Sequence, residues 1–117
     1  MKYSGLFTIA GILLLPSLAM ATEVDQAQRL AKGKAVAFDM AKGNCLACHM
    51  MADGELPGNF GPPLVQMKER YPDKALLRQQ ISDATARNPQ SIMPPFGKHG
   101  ILTEEELDMV LEYVYTL

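Results

Sequence analysis

The chain has 117 residues, 48% of them apolar and 21% charged, a composition that fits one globular domain and leaves no room for a second. Its formal net charge of -2, with no basic cluster, excludes an electrostatic binder of nucleic acid. With four phenylalanines, four tyrosines and no tryptophan, the core is poor in large side chains and calls for a disulfide, metal or cofactor to complete it.

The N-terminus reads as a leader. Lys2 gives a positive start, residues 6–15 are an apolar run, and Ala19-Met20-Ala21 is a small-x-small cleavage site. Residues 1–21 are therefore expected to be a cleaved signal peptide and 22–117 the mature domain. The apolar run is shorter than the roughly 20 residues a membrane span needs, so no span is expected after cleavage. Export to the periplasm follows as an expectation. Loss of Lys2 leaves ten basic residues against thirteen acidic ones, a net charge of -3.

From Val24 to Lys42, Ala27, Leu30, Ala31, Ala35, Phe38 and Ala41 recur at helical spacing, and Gly43-Asn44 stops the helix. Cys45-Leu46-Ala47-Cys48-His49 follows, with the C-x-x-C-H spacing of c-type haem attachment. Thiols at i and i+3 project from one side of a helical turn, so each can add to one vinyl group of the same haem. His49 then points at the iron just anchored. A structural zinc site wants four ligands, whereas the chain has two Cys and two His in all. A thioredoxin-like C-x-x-C needs a preceding strand, and none is visible. A disulfide leaves His49 without a role. One covalently attached haem c is the expected cofactor.

Residues 53–63 are rich in Gly and Pro and read as a loop. Its carbonyls lack regular partners, so one is expected to accept the ring N–H of His49 and fix its tautomer. Lys74–Thr85 reads as a second helix, with Asn88-Pro89 breaking the chain after it. Thr103–Thr116 reads as a third. It opens with a capping box of Thr103 and Glu106, and its stripe Leu107, Val110, Leu111, Val114 and Leu117 faces a core. No strand run or repeat is present. The expected fold class is all-α, with helices wrapped around one haem.

The second axial position has seven candidates: Met40, Met50, Met51, Met67, Met93, Met109 and His99. Met50 and Met51 follow His49 on its own side of the ring. Met40 and Met109 fall in helices, where methionine is more often core filler. Met67 is ambiguous. Met93 leads, because Pro94 and Pro95 stiffen its loop and let it hold a thioether at low entropic cost. His99 is the rival. Phe60, Met50 and Met51 are candidates either for core or for partner contacts near the haem edge.

The stretches Gly43–His49, Leu56–Leu64 and Met93–Thr103 resemble the SoxX family, the monohaem cytochrome c subunits of sulfur-oxidising SoxAX complexes. The resemblance covers nearly all of the mature chain. The strings K-G-N-C-L-A-C-H and M-P-P-F-G-x-H-G-I-L-T are its most particular parts. It implies a cytochrome c-like fold, His49 and Met93 as axial ligands, and a SoxA-like partner subunit that carries the catalytic haem. It also implies that the complex joins thiosulfate oxidatively to the carrier cysteine of SoxYZ, with electrons leaving through SoxX to a soluble cytochrome c. No catalytic residue is expected in this chain, since both cysteines are consumed as thioethers and two protein ligands close the iron to substrate. A free-standing electron carrier is the alternative reading, and a haem-based sensor with an exchangeable sixth ligand the third. The interval from Gly33 and Phe38 to Cys45 is longer than in small class I cytochromes, so a different packing of the first helix is expected.

Overall fold

A computed structural model describes residues 17–117. The leader's apolar run at 6–15 lies outside the described residues. Four α-helices follow one another: α1 (Ser17–Phe38), α2 (Met67–Arg70), α3 (Lys74–Ser82) and α4 (Glu104–Val114). Two 3-10 turns, Cys45–Ala47 and Ala84–Ala86, lie between them. Among the described residues there is no strand, so the all-α expectation holds.

The crossing of α1 and α4 organises the molecule. A Cβ placed on Gly33 would overlap the backbone carbonyl of Met109, so the two helices meet backbone to backbone at a residue that has no side chain. The Phe38 and Tyr113 rings pack beside the crossing at 6.3 Å, tilted by 58°. Arg29 closes one side with a hydrogen bond to Glu112 at 3.2 Å. The buried face of α1 is Gly33 and Ala37, flanked by half-buried Leu30. Ala27, Ala31 and Ala35, expected on that face, are exposed. Their spacing is helical, but the face is chosen by the residue that permits closest approach, and alanine scores as apolar on either side.

The first helix also ends earlier than its periodicity suggests. Beyond Phe38, Lys42 and Asn44 both donate to the Asp39 carbonyl, and Gly43 reaches back to Val36. This compact turn takes up the long interval before Cys45 while the helix crossing stays tight. The short α2 escaped the sequence reading because four residues are too few to display a period. It starts from Gln66 in the left-handed region, at φ 53°. Helix α3 stops at Ser82 instead of Thr85. Asp83 turns extended there, and its carboxylate accepts the Thr85 N–H at 3.1 Å to start a separate turn.

Helix α4 begins as expected. Thr103 Oγ1 accepts from the Glu106 N–H at 3.2 Å, and Glu106 Oε2 accepts from the Thr103 N–H at 3.0 Å. Its buried residues are Leu107, Met109, Val110, Leu111, Tyr113 and Val114. All but Met109 share one core with Met67 of α2, Leu77 and Ile81 of α3, and Met51, Phe96 and Leu102 from the loops. Arg78 ties α3 to α4 through Asp108 at 2.7 Å and Glu104 at 2.6 Å.

Candidate haem site

The attachment motif is wound, not extended. Asn44 sits in the left-handed region at φ 45°, a conformation that asparagine tolerates, and it launches the Cys45–Ala47 turn. The His49 N–H closes that turn on the Cys45 carbonyl at 2.9 Å. As a result Cys45, Cys48 and His49 all line one cavity of about 660 Å³. Cofactor sites commonly span about 300–1,000 Å³. Leu77 and Ile81 from α3, Val110 and Val114 from α4, and Phe96 supply much of its apolar wall.

The loop at 53–63 is strapped to the motif by backbone bonds. Gly58 donates to Leu46, Gly61 to Cys48, and Leu64 to Met50, at 2.8–2.9 Å. Gly61 lies flush against the imidazole, because any Cβ there would overlap the His49 ring. Pro62 then presents its carbonyl to His49 Nδ1 at 2.7 Å. A carbonyl can only accept, so Nδ1 carries the proton and Nε2 keeps its lone pair for a metal. The expected loop carbonyl is thus Pro62. Gly61 was not singled out from the sequence. Its signal, a glycine immediately before the Pro62-Pro63 pair, reads only as a turn until the ring beside it is known.

Met93 lines the same cavity as His49 and is half-buried. Its N–H donates to Ser91 Oγ at 3.3 Å, which steadies the loop ahead of Pro94. His99 is exposed and does not line the cavity. Met67 does line it and is buried, but Arg70 Nη1 donates to its Sδ at 3.5 Å. Met40 stands at the rim, 85% exposed. Met50, Met51 and Met109 are outside the lining. Met51 is fully buried core, while Met50 and Phe60 are exposed, with Phe60 at the cavity rim.

Among the described residues the lining contains no carboxylate, and its charged members are Lys42 and Arg70. Glu106 holds Lys42 at 2.8 Å, and this bond keeps the Glu106 carboxyl below the usual carboxylate range. Burial pushes the Cys45 thiol up to about 11. A thioether carries no charge to desolvate, so the same burial suits covalent attachment. Among the described residues no three His, Cys, Asp or Glu gather to hold a metal ion by themselves. Two thiols on one wall, a nitrogen ligand with its tautomer set, a thioether on the same cavity and an apolar interior together fit a haem.

Residues 28–114 match the family described as cytochrome C oxidase, cbb3-type, subunit III. An uncharacterized lipoprotein of Aquifex aeolicus (strain VF5) is 35% identical over 75 residues, or 63% of this chain. The match takes in 36% of that relative, so the chain spans about a third of its length. Among solved structures, SoxXA from P. pantotrophus is similar with a TM-score of 0.66 and 27% identity, over 74% of this chain and 79% of the matched one.

Proposed function

Because the chain belongs to the cytochrome C oxidase, cbb3-type, subunit III family and shares the cytochrome c fold of SoxXA, we propose that it is the SoxX-like, single-haem electron-transfer subunit of an exported thiosulfate-oxidising assembly. The observation that carries this reading is the convergence of Cys45, Cys48, His49 and Met93 on one apolar cavity. When bound, haem c supplies a one-electron iron couple; the protein's part is to hold it and tune it.

Each residue has a separate task. Cys45 and Cys48 retain the group covalently, which matters for a protein diluted outside the cytoplasm. His49 offers Nε2 while Pro62 keeps its other proton in place, raising ligand basicity. Met93, on the same cavity, would offer a soft thioether, which would favour Fe(II) and raise the potential relative to two histidines. The carboxylate-free lining avoids fixed protein negative charge beside the haem.

The same reading takes residues 1–21 as a leader removed on export to the periplasm. It takes a SoxA-like haem subunit as permanent partner, SoxYZ as the carrier protein served by the complex, and a soluble cytochrome c as acceptor. Met40, Phe60 and Ile92, all at least 74% exposed at the cavity rim, support a lasting partner, since permanent interfaces are the more apolar ones. Among the described residues, no helix is long and apolar enough to cross a membrane.

The test is to purify the native protein from its own host and to count haem per chain. One haem per chain and stable one-to-one co-elution with a second haem protein are expected. Elution alone, with haem present, would favour a free electron carrier. Colourless protein at apo mass from a host competent in cytochrome maturation would end the haem reading.

A further inference from the structure

A second cleft, of about 380 Å³, lies beside the haem cavity and shares Arg70 and Tyr71 with it. Pro72, Leu76 and Arg87 complete its walls. Its two arginines belong to the half of the described lysines and arginines that have no carboxylate partner. Arg29, Lys34, Lys42, Arg78 and Lys98 each have a carboxylate within 4.0 Å. Arg70 and Arg87 have none among the described residues. Arg70 donates from Nη1 to the Pro63 carbonyl at 2.7 Å and the Val65 carbonyl at 3.3 Å, which leaves Nε and Nη2 uncommitted. The Arg87 side chain makes no hydrogen bond among the described residues. Of the acids near them in sequence, Asp73 spends its carboxylate on the Ala75 N–H and Asp83 on Thr85 and Lys98, while Glu69, next to Arg70, is exposed and outside the cleft lining. No carboxylate lines the cleft.

Arg70 and Arg87 are both exposed, and both line this one cleft. In a chain of net charge -2 such a pair is a local exception. Guanidinium forks match the oxygens of a tetrahedral oxyanion, and Leu76, Pro72 and Tyr71 complete the cleft around them. We propose that this cleft binds a small tetrahedral dianion, such as sulfate, between Arg70 and Arg87, and that it binds the oxidised protein more tightly than the reduced one. The second half follows from the shared Arg70 wall. Ferric haem carries one more positive charge than ferrous, so a neighbouring anion prefers it, and by reciprocity the anion lowers the potential. The binding half stands apart from the sulfur-oxidising reading; the redox half rests on the haem.

The haem-loaded full chain is titrated calorimetrically with sodium sulfate, and separately with phosphate, at ionic strength held constant with sodium chloride. Saturable binding is expected, at least tenfold weaker in Arg87→Gln and partly restored in Arg87→Lys. The midpoint potential falls with sulfate in the parent protein and not in Arg87→Gln; a tenfold preference for the oxidised form corresponds to about 59 mV. Saturation by sulfate alone identifies a sulfur oxyanion, and saturation by both identifies a general dianion site. Absence of saturable binding, or equal binding by Arg87→Gln, overturns the site. Binding that leaves the potential unchanged overturns the redox linkage. Arg87→Gln retains haem and partner co-elution, so failure here is distinguishable from failure of the proposed function.

Discussion

At the scale of single residues, the site depends on what surrounds His49 as much as on His49 itself. Gly61 makes room for the ring and Pro62 holds its proton, so the imidazole has one orientation and one tautomer. Met93 has no comparable scaffold beyond its Pro-stiffened loop and the bond to Ser91. Met93→Ala is therefore expected to leave the haem attached, to lower the potential and to admit added ligands such as carbon monoxide. Loss of the Met–Fe(III) charge-transfer band is the measurement, and a retained band would rule Met93 out. Tyr113 makes a different case. Its hydroxyl is buried with no hydrogen-bond partner among the described residues, and burial also raises its pKa. An unsatisfied buried hydroxyl costs about 1–3 kcal/mol, so Tyr113→Phe should stabilise the protein by roughly 1 kcal/mol in denaturant unfolding.

At the scale of elements, α1 and α4 meet where Gly33 removes the side chain, so even one methyl group forces the helices apart. Overpacking of this kind costs about 1–3 kcal/mol, and Gly33→Ala should lower the unfolding midpoint accordingly. The start of α4 carries a pH-dependent element. Glu106 bonds Lys42 and the Thr103 N–H, and both hold its folded-state pKa below the unfolded value of about 4.3. A depressed carboxyl contributes stability fully above the unfolded pKa and loses it as pH falls through the folded one. Glu106→Gln should thus melt at a lower temperature than the parent at pH 7. The gap should close as pH drops below about 4, and a gap constant across that range would refute the assignment.

At the scale of the molecule, no described carboxylate lines the cavity, and Met40, Phe60 and Ile92 stand exposed at its rim. A partner held by that rim should resist salt, because screening weakens exposed charge pairs while apolar burial persists. Co-elution with the proposed haem subunit is expected to survive about 0.5 M sodium chloride, where the Debye length is well under 10 Å. Dissociation under those conditions would indicate a transient, charge-steered carrier.

Attachment of the haem, the all-α class and the capping box of α4 were legible in the order of residues. They are carried by neighbours in sequence, as in C-x-x-C-H and Thr103 with Glu106. Exposed Ala27, Ala31 and Ala35, the four-residue α2, the role of Gly61 and the cleft that Arg70 and Arg87 both line were not. These depend on which segments meet across the fold. A glycine is silent until a ring or a helix lies against it, and two arginines 17 positions apart share a cleft only after the chain between them has turned back. Local chemistry is written in the sequence; contact across distance is decided by packing, which selects among faces the sequence leaves equally plausible.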